Sequence, residues 1–245
     1  MLPDKSPLRF ALLHEWLQWC DKSHPQCNQR DEKKLPTRLL YVGDPGNPDY
    51  NPNALKLVPG GHIVGKKYIA LSYCWAEIDS KNDFRTTKEN KDEREKEFFF
   101  SKLPRTLQDA IEVARRLGVQ YLWIDALCIV QGEGGDWGLE SKRMEDVYTS
   151  AYCTIAATSA SGSYAGFLAR NIEHVYIEDD SGRRVYIGTD IADFDKEVEE
   201  APLNKRAWVV QERFLSCRTI HFGAHQMYWE CGEGIYCEDL TQLKR

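Results

Sequence analysis

A chain of 245 residues, 42% of them hydrophobic and 29% charged, has room for one generous globular domain, with or without an extension, and no bias toward disorder. A net charge of −6, with no basic run and no RNA-binding signature, argues against a broad face for nucleic-acid backbone. No stretch approaches the ~20 apolar residues of a membrane span, and "MLPDKSPLRF" lacks the apolar core of a signal peptide, so a cytoplasmic protein without a membrane span is expected.

Residues 8–20, "LRFALLHEWLQWC", read as a short helix followed by the polar connector "DKSHPQCNQRDEKK". "TRLLYV" and "LKLV" read as short strands, parted by the turn-rich "GDPGNPDYNPN". Residues 1–65 are expected to form an N-terminal extension packed on a core domain of residues 66–245. The core opens with "YIALSYCW", an apolar run with little alternation, as in a strand covered on both faces. The charged excursion "AEIDSKNDFRTTKENKDEREKE" reads as a solvated loop or exposed helix. In "LPRTLQDAIEVARRLGV", Leu107, Ala110, Ile111, Ala114 and Leu117 make one stripe, Pro104 suits the first turn and Gly118 the stop. The strand "YLWIDALCIV" follows, which makes a parallel βαβ unit. The pattern repeats with the helix "DWGLESKRMEDVYTSA", which Asp136 is placed to cap, and the strand "YCTIAAT". "HVYIE" and "RRVYIG", joined by "DDSG", read as an inserted β-hairpin. The stretch "NKRAWVVQERFLSCRTIHF" (204–222) then reads as a helix running into the strand "RTIHF". The expected fold is α/β, with a parallel sheet flanked by helices.

Ligands of open parallel sheets gather at the carboxyl ends of the strands. Ser72 to Trp75 end the first strand, Asp125 lies within or near the end of the second, and the small-residue loop "SASGSYAG" follows the third. Asp125 in an apolar strand needs a partner; it either anchors backbone amides of a nearby loop or serves a site directly. Glu140, one turn before Met144 on the core-facing stripe, either meets an arginine, caps a loop or acts as a catalytic acid. Trp208 and Glu212, four apart on one helix, present a stacking surface and a negative charge that suit a planar, cationic, nucleobase-like group. Their structural alternative is a core tryptophan with Glu212 bonded to Arg206 or Arg213.

With no signal peptide, the eight cysteines are expected as thiols or metal ligands rather than disulfides. Cys20, His24 and Cys27 are spaced for one helix face, and Cys231 or Cys237 would complete a tetrahedral zinc set, although Pro25 stands against a helix through all three. No Walker loop, G-x-G-x-x-G or G-x-S-x-G is present.

Together "YIALSYCW", "LPRTLQDAIEVARRLGVQYLWIDALCIVQ", "DWGLESKRMEDVYTSAYCTIAATSA" and "RAWVVQERFLSCRTIHF" resemble the fungal heterokaryon-incompatibility (HET) domain, and "WLQWCDKSHPQC" resembles the segment that often precedes it. "CWAE" stands where that family usually shows Cys-Trp-Gly. The resemblance implies a cell-death or non-self-recognition module of a filamentous fungus, remotely similar to Toll/interleukin-receptor (TIR) domains and their flavodoxin-like sheet. Many TIR domains cleave NAD with the glutamate of a Trp-Cys-x-x-Glu motif. "WVVQE" matches that spacing, with Val209 for the cysteine, so the resemblance makes Glu212 the catalytic residue and Trp208, Ser72, Tyr73, Trp75 and Asp125 substrate-binding residues. It implies NAD as substrate, with no resident cofactor or metal, and self-association. Partners would be other modules of a longer chain or an upstream receptor. The alternative is a non-catalytic HET signalling and oligomerisation module.

Overall fold

The computed structural model describes residues 7–28, 34–75, 83–170, 175–178, 184–187 and 193–243, with the backbone alone for 175–178, 184–187, 207, 208, 210 and 211. In chain order the elements are α1 (Pro7–Ser23), β1 (Arg38–Tyr41), β2 (Ala54–Pro59), β3 (Ile69–Ser72), α2 (Lys91–Lys96), β4 (Phe98–Phe99), α3 (Arg105–Arg116), β5 (Tyr121–Trp123), α4 (Asp125–Cys128), α5 (Trp137–Glu140), α6 (Met144–Ser150), β6 (Cys153–Ala156), β7 (Val175–Glu178), β8 (Arg184–Ile187), α7 (Ala207–Leu215), β9 (Arg218–Phe222), β10 (Met227–Cys231), β11 (Gly234–Cys237) and β12 (Gln242–Leu243).

The four strands expected in the core appear as β3, β5, β6 and β9, which lie in the order β5–β3–β6–β9, all parallel. Every residue of these strands is buried, which explains why the runs do not alternate. The chain moves outward from β3 to β5, then back past β3 to β6 and β9. With right-handed crossovers, that reversal sends α3 to one face and α6 and α7 to the other. Consistently, α6 packs on α7, and α1 joins α3 through His14 Nε2 and the Arg116 carbonyl at 2.8 Å.

The sheet is larger than the parallel one expected from the sequence. β1, β2 and β4 add antiparallel strands beside β5, and β10, β11 and β12 add an antiparallel meander beside β9, making a mixed sheet of ten strands among the described residues. The extension of residues 1–65 thus contributes two strands of that sheet. The hairpin is present, with β7 and β8 paired from Val175↔Ile187 to Glu178↔Arg184.

Local chemistry explains where the elements stop and where they depart from expectation. The stripe of α3 is buried, Pro104 sits one residue before its first turn, and Gly118 ends it at φ +69°. "DWGLESKRMEDVYTSA" is not one helix: a 3-10 turn, Ser141–Arg143, separates α5 from α6. Asp136 makes no cap there, because its carboxylate accepts from the Val130 amide at 2.8 Å and pairs with Arg38. α2 buries nothing, as a solvated helix should. Phe84 and Thr86 nevertheless turn inward, the Thr86 hydroxyl donating to the Leu127 carbonyl at 2.6 Å. Residues 76–82 of that excursion lie outside the described residues.

The loop "SASGSYAG" uses its small residues against α3. Gly166 has φ +73°, and a Cβ there would stand 2.6 Å from Arg105 Cγ and 2.8 Å from Asp109 Oδ2. Asp109, 1% exposed, accepts from the Phe167 and Leu168 amides at 2.8 and 3.0 Å and pairs with Arg105 at 2.9 Å. Asp109→Ala strands two buried amides and is expected to cost about 2–4 kcal/mol by urea denaturation. A loss under about 0.5 kcal/mol would show that this loop is not held by α3.

Candidate functional site

β3 ends at Ser72, whose register partner across the sheet is Ala156 of β6. Beyond that end the Ser72 hydroxyl donates to Glu212 Oε2. Glu212 lies on α7 and is 5% exposed. α7 starts after Arg206, whose extended backbone (φ −87°, ψ 135°) turns the chain into the helix without a side-chain cap. Arg213, the next residue along, points elsewhere: it bonds Glu230 Oε2 at 2.7 Å and Glu199 Oε2 at 2.9 Å. His221 meets the same Glu230 oxygen at 2.8 Å, and these bonds outweigh burial to hold the Glu230 carboxyl at about 2. This network fastens α7 to β9 and β10 and leaves Glu212 directed at Ser72.

Asp125 stands two residues past the end of β5, as the first residue of α4, rather than inside the strand. Its Oδ2 accepts from Trp75 Nε1 at 2.8 Å, and its Oδ1 from the Ala126 amide at 2.6 Å. Both readings of this residue therefore have a counterpart: it anchors a backbone amide, and it touches the mouth of β3. Burial pushes Asp125 up to about 6. Burial also pushes Glu212 up to about 7; the Ser72 bond and the Arg206 charge pull it down, and the Asp125 charge pushes it further up. The acids feel each other, so their protons leave in two coupled steps. The Tyr73 hydroxyl is buried without a hydrogen bond of ordinary geometry, and burial and then Asp125 hold the phenol neutral. Ser72, Tyr73, Trp75, Asp125 and Glu212 therefore form one cluster.

A family model described as "Heterokaryon incompatibility protein (HET)" matches residues 68–212, more than half of the chain. The chain belongs to the HET family. No curated protein and no solved structure matches it. The match to the HET family begins at the residue before β3 and ends on Glu212, so it contains all five members of the cluster.

Two further residues join the HET cluster: Arg206, which the sequence offered as a partner of Glu212, and Tyr148, which sequence reasoning missed. Arg206 donates to the Tyr73 carbonyl, pinning the end of β3, and its charge reaches both Asp125 and Glu212. Tyr148 of α6 bonds the Leu71 carbonyl at 3.3 Å, and its phenol is held up by burial and then by the Glu212 charge. Arg206, directly before the Trp-x-x-x-Glu helix, carried a readable signal as a cation beside an acid. Tyr148 carried none, because its place on the apolar stripe of α6 reads as core.

Other residues lie apart. Glu140 accepts from the Thr37 hydroxyl at 2.7 Å and stands 3.8 Å from Arg143, so it meets an arginine, as the structural reading had it. The Trp208 side chain lies outside the described residues. Cys20, His24, Cys27 and Cys231 gather in a separate cluster, whereas Cys237 sits on β11 outside it. Among the described residues no helix is long and apolar enough to cross a membrane.

Proposed function

We propose that this HET domain is a cytoplasmic cell-death and non-self-recognition effector that hydrolyses NAD at the nicotinamide–ribose bond when copies self-associate. The observation that carries this reading is Glu212, a buried carboxyl group held by Ser72 beside Asp125 at the carboxyl end of β3. The order β5–β3–β6–β9 supports it, being the 2-1-3-4 order of flavodoxin-like sheets to which TIR domains belong. In that order the chain reverses direction at β3 and β6, and ligands bind in the crevice outside such a reversal. Ser72 and Ala156 are its register partners.

The chemistry asks little of the protein. The C1′–N bond breaks with its electron pair going to the ring nitrogen, so nicotinamide leaves neutral and needs no general acid. Water adds to C1′ and gives up a proton. The transition state is oxocarbenium-like, and an ionised carboxylate beside the ribose stabilises its positive charge. In this reading Glu212 supplies that charge and Ser72 orients it. Trp75 offers an aromatic face to the rings. Tyr73 stands at the same end of β3, and Asp125 holds Trp75 in place.

The test is nicotinamide release by the purified protein at low concentration and when clustered on a surface. Turnover that appears on clustering supports the effector reading. A clustered wild type that leaves NAD intact would sink it and favour the non-catalytic signalling module. The pH profile adds a second check. In this reading only ionised Glu212 is active, and burial pushes its carboxyl up to about 7, so kcat/KM should rise with pH through 7 and level off above it. A profile already flat between pH 5 and 8 would assign the chemistry to another group.

A further inference from the structure

A second cluster lies outside residues 68–212 and joins the two ends of the described chain. α1 carries Cys20 near its end. The His24 amide bonds the Cys20 carbonyl at 3.0 Å, and the Cys27 amide bonds the His24 carbonyl at 3.0 Å. Pro25 ends the helix, as its missing N–H dictates, but it also opens the 3-10 turn Pro25–Asn28, which winds more tightly and brings Cys27 back to the same point. The fourth residue, Cys231, comes from the end of β10, whose pairing with β9 places it opposite Arg218. One ligand atom from each of Cys20, His24, Cys27 and Cys231 lies within 4.8 Å of all the others.

We propose that these four residues form a structural zinc site of the Cys3His type, fastening α1 to the β10 side of the sheet. Tetrahedral zinc with Zn–S bonds of about 2.3 Å sets sulfur–sulfur edges near ~3.8 Å, so the atoms already stand within about an ångström of coordination geometry. The spacing C-x3-H-x2-C on a helix end and turn supplies three ligands, and a distant strand supplies the fourth. Cys20 is 0% exposed, Cys27 3% and His24 6%, which leaves no open position for substrate and makes the site structural rather than catalytic. His24 turns Nδ1 toward Cys231 Sγ at 3.5 Å, and the Trp19 ring packs edge-on against the imidazole at 4.3 Å, fixing its plane. Zinc with three thiolates and a neutral histidine carries one negative charge. The fully buried Arg218 guanidinium interacts electrostatically with Cys20 and supplies the countercharge, itself held by Asp21 at 2.7 Å. A Cys20–Cys231 disulfide is the competing use of these thiols.

The decisive measurement is made on the full wild-type chain. Elemental analysis should find one zinc per chain, released by a thiol-blocking mercurial, and replacement by cobalt(II) should give the intense visible bands of a tetrahedral site with thiolate-to-cobalt charge transfer. Cys231→Ser should lower the zinc content and the Tm, whereas Cys237→Ser should retain full zinc. A wild-type chain with native circular dichroism that holds no zinc and gives no thiolate–cobalt bands would overturn the proposal, as would a Cys20–Cys231 disulfide found by mass spectrometry in the freshly isolated protein. Because the first measurement needs no variant, misfolding of Cys231→Ser cannot obscure the answer.

Discussion

Replacing Glu212 by glutamine is expected to lower nicotinamide release by about 10²–10³-fold, because the transition-state charge loses its nearest partner while shape is kept. Glutamine can still accept from Ser72, so the fold should survive. The same variant has a stability signature of opposite sign. Burial raises the Glu212 carboxyl from 4.5 to about 7 in the folded protein. The folded state therefore holds this proton more tightly than the unfolded one. That contribution is complete below about 4.5 and is lost as pH rises through 7. Glutamine has no proton to lose, so relative to wild type the variant should gain on the order of 2–3 kcal/mol between pH 4 and pH 8. Urea denaturation at both pH values checks this. Lost activity with gained stability would mark a residue kept for chemistry. Lost activity with an equal loss of stability at both pH values would mark a packing residue. Wild-type turnover in the variant would remove Glu212 from the mechanism.

The second large effect concerns the frame around the meander. Arg170 Nη2 stands 2.7 Å from Glu238 Oε2, with side chains 1% and 2% exposed, and Glu238 Oε2 also accepts from the Met227 amide at 2.9 Å. Arg170 Nη1 donates to the His225 carbonyl at 3.0 Å. The pair thus joins the loop after β6 to β10 and the turn beyond β11. Arg170→Met leaves a buried carboxylate without its cation and is expected to cost about 3–5 kcal/mol. Adding Glu238→Gln removes the stranded charge yet keeps an acceptor for Met227, so the double variant should recover most of that loss. A double variant whose loss equals the sum of the Arg170→Met and Glu238→Gln losses would show that the pair is not coupled. Denaturant titration of the four proteins completes the cycle.

Much of this was legible before any coordinates. An apolar run without alternation must be covered on both faces, which identified β3, and the strand–helix alternation that follows it placed β5, β6 and β9. The stripe of α3 and the glycine after it marked one helix and its end. The spacing of Trp208 and Glu212 set a helix running into a strand, and the HET motifs named the family. The antiparallel wings were not legible as parts of one sheet. Strand pairing is a choice among distant partners, and the short runs of β1, β2 and β10 to β12 carry no mark of which neighbour they take. Asp136 looked like a helix cap because aspartate before a helix usually is one; Arg38 and the Val130 amide competed for it and won.

The site divides along the same line. Sequence alone determined that Asp125 sits near the carboxyl end of a strand, that Trp208 and Glu212 share one helix, and that Cys20, His24 and Cys27 fall at ligand spacing. Only the tertiary structure decided that Glu212 answers to Ser72 rather than Arg213, that Arg206 and Tyr148 belong to the same cluster, and that Cys231 rather than Cys237 completes the thiol group. The reason is physical. Spacing along the chain fixes which residues share a face, through the periods of helix and strand. A hydrogen bond or a metal site needs atoms within a few ångströms, and that proximity arises only when elements from distant parts of the chain pack together.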